Sequence, residues 1–161
     1  APTALNWRET DIYLLKANGI WRWVPERRAL LFCALHDIRE ESYILNSQFT
    51  LPPLELVYVT NYSRTRSLIT DAVETIAPKI RSAAFSEAAI RELRIRSTNI
   101  DVGAKIQSVY LAAAAMGLSC VARTGFSAEK LAAKLHLKPD EEVVAAQSVG
   151  YPAKSILDHI K

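Results

Sequence analysis

Glycine is scarce in this chain of 161 residues, with five in all, at Gly19, Gly103, Gly117, Gly125 and Gly150. No two stand close enough to form GxGxxG or a P-loop, so both glycine-rich phosphate cradles are excluded. Cysteine is scarcer. Cys33 and Cys120 make neither a CxxC pair nor a zinc spacing, and each sits in an apolar run, which predicts buried, reduced thiols. The three histidines, His36, His136 and His159, are isolated, with no HExxH or paired spacing for a metal, and read as surface or satisfied side chains. His36-Asp37 has no nucleophile near it in sequence, and a helix start explains the pair as well. No serine stands in GxSxG. The adjacent acids Glu40-Glu41 and Glu141-Glu142 cannot point at one target and read as solvated. The sequence therefore supports no acid–base or nucleophilic catalysis by side chains of its own. An enzyme of this kind takes its chemistry from a cofactor.

Strong charge and long apolar runs are missing too. Net charge is +3, from 20 basic and 17 acidic residues, too mild to argue for nucleic acid. The densest basic cluster, Arg91, Arg94 and Arg96, is offset by Glu87 and Glu92 and reads as a solvated helix face. The longest apolar run, Val109 to Met116, stops at Gly117, well short of a membrane span. No charged-then-apolar signal segment opens the chain, so no membrane association is expected and the cytoplasm is the default location. Half the residues are apolar and 23% charged, which predicts a single domain over residues 1–161 with a real core. The opening Ala1-Pro2-Thr3 lacks an initiator methionine; a processed product and a piece missing its N-terminal portion are both consistent with it.

What is present begins with strands. Asp11–Lys16 is β-branched and aromatic, Ala17-Asn18-Gly19 is a turn signal, Ile20–Val24 alternates, Pro25–Arg28 turns, and Ala29–Leu35 completes a three-stranded meander. Asp37 is placed to cap a short helical turn running to Glu41. Leu54–Thr60 is an apolar run of strand length. Residues 64–96 read as mainly helical, broken near Pro78, with Ser86 capping the second piece. From Asp101 a clearer helix follows, with Val102, Ile106, Val109, Ala113 and Met116 spaced by threes and fours and Gly117 as its C-terminal glycine. It is apolar nearly all round, which predicts burial on more than one side. A helix lying between its own sheet and a partner's helix would fit, and so would the central helix of a monomer. Leu118–Ala122 is a strand, Ser127 caps a helix through Leu135, and Glu142–Val149 is the last strand. Mixed order without βαβ rhythm predicts an α+β domain, a mainly antiparallel sheet flanked by helices with one long buried central helix.

Four stretches together resemble the nitroreductase-like flavoproteins. Pro2-Thr3-Ala4-Leu5-Asn6-Trp7-Arg8-Glu9 is similar to that family's Pro-Ser-x-x-Asn-x-Gln loop, with Arg8 in place of Gln. Asp101, Gly103, Gln107, Leu111-Ala-Ala113 and Gly117-Leu118 match its Ala-rich helix. Ala122–Phe126 and Gly150-Tyr-Pro152 match the segments after it. The resemblance implies FMN held by Pro2, Thr3, Ala4, Asn6 and Arg8, with the backbone N–H of Thr124 or Gly125 directed at flavin N5 and a cation from Arg123 or Arg8. Lys154 lies where a phosphate-binding cation falls in the family, although a solvated tail lysine explains it more simply. No side chain is assigned a catalytic role, and no metal.

The implied activity is that of an FMN-dependent oxidoreductase. It would use NAD(P)H to reduce a small-molecule acceptor, nitroaromatic, quinone or similar, by a ping-pong mechanism, and act as a homodimer. The Asn-Trp and hairpin features lean toward a branch that oxidises azoline rings within a multiprotein complex. The family's Arg-Arg-Ser-x-Arg phosphate grip is absent, since Arg27-Arg28 runs into Ala-Leu. An upstream segment outside this sequence would account for that, and the retained loops favour it. The alternative is a flavin-free relative serving as a binding or oligomerisation module.

Overall fold

The computed structural model describes residues 1–44, 51–65 and 86–152. The helical reading around Pro78, and Lys154 and His159, lie outside these residues. Six strands form one sheet: β1 (Thr10–Lys16), β2 (Gly19–Val24), β3 (Ala29–Ala34), β4 (Leu54–Asn61), β5 (Ser119–Arg123) and β6 (Glu141–Gly150). Their order is β3-β2-β1-β4-β6-β5, and every neighbouring pair is antiparallel. The expected meander is present. Its first turn needs Gly19, whose φ is 135° and where an added Cβ would stand 2.6 Å from the Ala34 carbonyl oxygen. Its second turn, Pro25–Arg27, closes on a left-handed Arg28.

The unbroken apolar run of β4 reflects burial on both faces. Val57 and Val59 pack with Leu15, Ile20 and Val143 beneath α2 (Ala128–Lys134), through Leu131 and Leu135. Leu56 and Tyr58 pack with Ala145 and Val149 beneath α1 (Glu87–Ala115), through Val102. Each such buried side chain contributes about 1.5–3 kcal/mol. The Tyr58 hydroxyl donates to Gln147 Oε1 at 2.6 Å, so its polar atom is satisfied inside this core.

α1 corrects one expectation. The helix capped by Ser86 and the helix at Asp101 are one uninterrupted element of 29 residues. Ser86 Oγ accepts from the Ala89 N–H at 3.2 Å, as expected. The polar run Ser97-Thr98-Asn99 does not break it, because buried Thr98 turns its hydroxyl onto the Ile95 carbonyl. The C-terminus is a Schellman closure, with Gly117 N–H on Ala114 O and Leu118 N–H on Ala113 O, and Gly117 at φ 68°.

Within the chain α1 is buried on one side. Thr98, Val102 and Ala113 are buried. Leu93, Ile100 and Leu111 are 59%, 66% and 65% exposed. Eighteen residues make five helical turns, so Leu93 and Leu111 share a stripe, Ile100 lies close to it, and Val102 lies opposite. The helix thus carries two opposed apolar stripes, one of them facing away from the sheet. Among the described residues no helix is long and apolar enough to cross a membrane.

Two smaller expectations change. Cys33 is exposed, because β3 is an edge strand, and Cys120 is half-buried. Glu141 is not simply solvated: it accepts from Asn61 Nδ2 at 3.1 Å and from the Lys138 N–H at 2.9 Å. The short helical turn expected after Asp37 is present as a 3-10 turn at Arg39–Ser42, and Asp37 accepts from the Arg39 N–H and pairs with its guanidinium at 2.7 Å.

Candidate functional site

The N-terminal loop is the most strained backbone among the described residues. Leu5, Asn6 and Arg8 all take left-handed φ values, of 48°, 56° and 51°. Non-glycine residues adopt that region at a cost, and persist in it where the surroundings hold them. Three contacts do so. Asp101 Oδ2, on α1, accepts from the Ala4 N–H at 2.8 Å. Thr3 Oγ1 accepts from the Arg8 N–H at 3.0 Å, and Asn6 Oδ1 accepts from Arg8 Nε at 3.2 Å. Thr3, Ala4, Asn6 and Arg8 are thereby joined in one constellation, with Pro2 adjoining.

Thr3 and Arg8 line a cleft of about 640 Å³ with Thr10, Ile12, Trp23 and Lys105. Its size falls in the range of small-molecule and cofactor sites. Arg22 and Arg64 also line it, and both turn to Asp11, at 3.9 and 2.8 Å. Behind the loop lies Glu9, fully buried, whose Oε1 accepts from the Thr10 hydroxyl while Oε2 has no hydrogen-bond partner. Burial raises the Glu9 carboxyl above the usual range, against the pull of its own backbone N–H and of Lys105. Burial likewise lowers the Lys105 ammonium, against the attraction of Glu9 and Asp101. The Lys105 Nζ is buried and has no hydrogen-bond partner.

Arg123, Thr124 and Gly125 do not line this cleft. Because β1, β4, β6 and β5 alternate in direction, the start of β1 and the end of β5 lie at the same end of the sheet. Two strands separate them, and Arg123, paired through Ala146 and Val57, stands level with Tyr13 rather than with Thr10. Thr124 and Gly125 are exposed there. Arg123 points elsewhere. Its guanidinium binds Glu55 Oε2 at 2.9 Å, Ser42 Oγ at 2.9 Å and Ser148 Oγ, and lies 3.9 Å over the Tyr43 ring. Tyr43 donates to Glu55 Oε1 at 2.6 Å, which closes a polar knot around a fully buried carboxylate.

Lys105, Glu9 and the tether made by Asp101 carry no assignment in the sequence reading. One signal for Lys105 was available. It stands three residues after Val102 and four before Val109, on the sheet-facing side of α1, where a charge is unexpected.

Residues 1–151 match the profile of the nitroreductase family. No curated protein matches the chain in sequence. Among solved structures, a protein assigned as a nitroreductase from Ralstonia eutropha JMP134 is 25% identical with a TM-score of 0.72, over 96% of this chain and 63% of its own. The Escherichia coli microcin synthetase McbBCD complex, solved with truncated pro-MccB17 bound, matches at 15% identity and TM-score 0.70, over 95% of this chain and 55% of that one. A protein assigned as an NAD(P)H:FMN oxidoreductase from Staphylococcus epidermidis ATCC 12228 matches at 20% identity and TM-score 0.59, over 100% of this chain and 78% of that one. The chain thus spans less than two thirds of the first two.

Proposed function

The chain belongs to the nitroreductase family, and from that premise we propose that it forms the FMN-holding part of an oxidoreductase that draws electrons from NAD(P)H. The observation that carries this reading is the pinned left-handed loop, with Thr3 and Arg8 set into a cleft that Lys105 also lines, its Nζ buried without a hydrogen bond. These residues fit a planar, oxygen-bearing cofactor: a hydroxyl, backbone amides and cations line a space of suitable volume. Pro2, Thr3, Ala4, Asn6 and Arg8 form one wall of the site in this reading. Thr124 and Gly125 offer backbone N–H groups from the same end of the sheet. Arg123, locked to Glu55, anchors the base of that second loop from behind.

FMN, when bound, supplies the chemistry, accepting hydride from NAD(P)H and passing the electrons to a nitroaromatic, quinone or similar small acceptor in a ping-pong cycle. The chain's own residues position and tune. Asp101 holds the loop in its left-handed form, so the amides need not reorganise on binding. The outward stripe of Leu93, Ile100 and Leu111 supports a homodimer, since a second copy of α1 would cover it.

An absorption spectrum of the full-length protein, purified without added cofactor, tests the reading. Flavin bands that bleach with NADH or NADPH are the expected result. A protein still colourless after incubation with FMN and desalting would refute it, and would return the flavin-free binding module. For the dimer, Leu111→Asp is expected to yield monomer by light scattering; an unchanged mass, or a native chain already monomeric, would end that part of the proposal.

A further inference from the structure

We infer that Lys105 is the cation of this cleft, the donor that meets the oxygen-bearing, electron-rich edge of the bound ring system. The inference rests on the flavin reading above and names the residue that tunes the cofactor.

Four cations line the cleft, and three have hydrogen-bonding or ion-pair partners. Arg22 and Arg64 both turn to Asp11, and Arg64 makes a two-pronged contact at 3.1 and 2.8 Å. Arg8 is exposed and places Nε on Asn6. Lys105 alone among these four has a polar head that is both buried and without a hydrogen-bond partner. An ammonium presents three donors and no acceptor, so it leaves all three unmet here. The carboxylates behind it do not relieve this. Asp101 accepts the Ala4 N–H, and Glu9 acts on Lys105 through space without a hydrogen bond.

The helix sets the placement. Residue 105 lies on the sheet-facing side of α1, between Val102 and Val109, half-buried and lining the cleft, with its Nζ covered. A buried amine with unmet donors is unfavourable, and an apolar side chain would fill the same place without that penalty. The arrangement becomes favourable once a ligand brings acceptors to the cleft wall. Reduced flavin carries negative charge near N1 and O2, so a cation there stabilises the reduced form more than the oxidised one. Thr3 and Arg8, on the same cleft, would complete the donor set.

The test is FMN titration of the native full-length protein, Lys105→Met and Lys105→Gln, with the midpoint potential of the bound cofactor measured for each. Both variants are expected to weaken binding of reduced FMN about tenfold more than binding of oxidised FMN, and so to lower the potential. Melting curves of the cofactor-free proteins check folding; if Lys105→Met fails to fold, Lys105→Gln, which keeps a donor without the charge, carries the test. Native protein that binds FMN alongside a variant whose reduced-to-oxidised affinity ratio is unchanged would overturn the assignment of Lys105 and leave the flavin reading standing. Native protein that binds no FMN would overturn the flavin reading, and this inference with it.

Discussion

Two groups of buried charge sit in this sheet, and they are finished differently. Around Glu55 the carboxylate is fully engaged: Arg123, Tyr43 and Ser148 all bond to it, and the guanidinium reaches Ser42 as well, leaving only Arg123 Nε buried without a partner. Around Lys105 the group is open: Glu9 Oε2 and Lys105 Nζ are buried with hydrogen-bonding capacity unused, next to a cleft. Both consist of ionisable side chains withdrawn from water, so burial alone does not separate them. Satisfaction does. The Glu55 carboxylate has three side-chain partners, and the knot serves to fix the segment at Arg39–Tyr43 against β4 and β5. An open group is held in place by the fold and completed from outside.

The largest effect should come from opening the closed knot. Glu55→Ala leaves a largely buried guanidinium without its carboxylate, and is expected to lower unfolding free energy by about 3–5 kcal/mol in urea denaturation. Replacing both partners, Glu55→Leu with Arg123→Met, should recover much of that loss, because no uncompensated charge remains. A single substitution that changes stability by less than about 1 kcal/mol would show that the knot is not closed in solution.

Asp101→Ala comes next. It removes the acceptor for the Ala4 N–H and frees three left-handed residues to relax, for a loss of about 1.5–3 kcal/mol typical of a hydrogen bond to a charged group. Faster amide exchange confined to the N-terminal loop and α1 near residue 101 would accompany it. Uniform exchange throughout the chain would instead mean that Asp101 supports the whole fold. Lys105→Met sharpens the comparison: without cofactor it should be at least as stable as the native chain in urea denaturation, because the residue removed is a buried amine with unmet donors, and a clear loss of stability would show that its attraction to Glu9 and Asp101 outweighs burial.

The two groups also differ in how far they could be read from sequence. Signals local to a turn or a cap were legible: Gly19 in the first hairpin, Ser86, Ser127 and Gly117 at helix ends, and the two-sided apolar run of β4. The Arg123 knot was not, because its carboxylate lies 68 residues away and its meaning depends on β5 and β4 both flanking β6. Assigning Arg123 to the flavin used its place in the chain; the direction of its side chain is a tertiary fact. Cys33 failed for a similar reason, since an apolar strand is buried or exposed according to whether it ends at the sheet edge. The helical stretch ending at 96 and the helix from Asp101 were read apart, and the buried Thr98 between them belongs to one continuous helix. Lys105 was readable in principle, as a charge on the wrong side of an amphipathic helix.

The smallest effect concerns Glu9, and its sign is diagnostic. Burial raises its folded-state pKa above the ordinary value of 4.5, so the folded chain binds the proton more tightly than the unfolded chain does. Between pH 4.5 and the folded pKa, stability therefore falls as pH rises, and above the folded pKa the full penalty of burying the carboxylate is present. Glu9→Gln removes that penalty. It should be more stable than the native chain at pH 7, by up to about 1 kcal/mol, and the difference should vanish below pH 4.5. Lys105 reduces the gain by losing its attractive neighbour, but desolvation is the larger influence on Glu9 and sets the direction. Denaturation curves at pH 4 and pH 7 decide the matter: an equal difference at both would show that Glu9 acts by packing, while a variant less stable at pH 7 would show that the Glu9–Lys105 attraction outweighs burial and that the open group is closed after all.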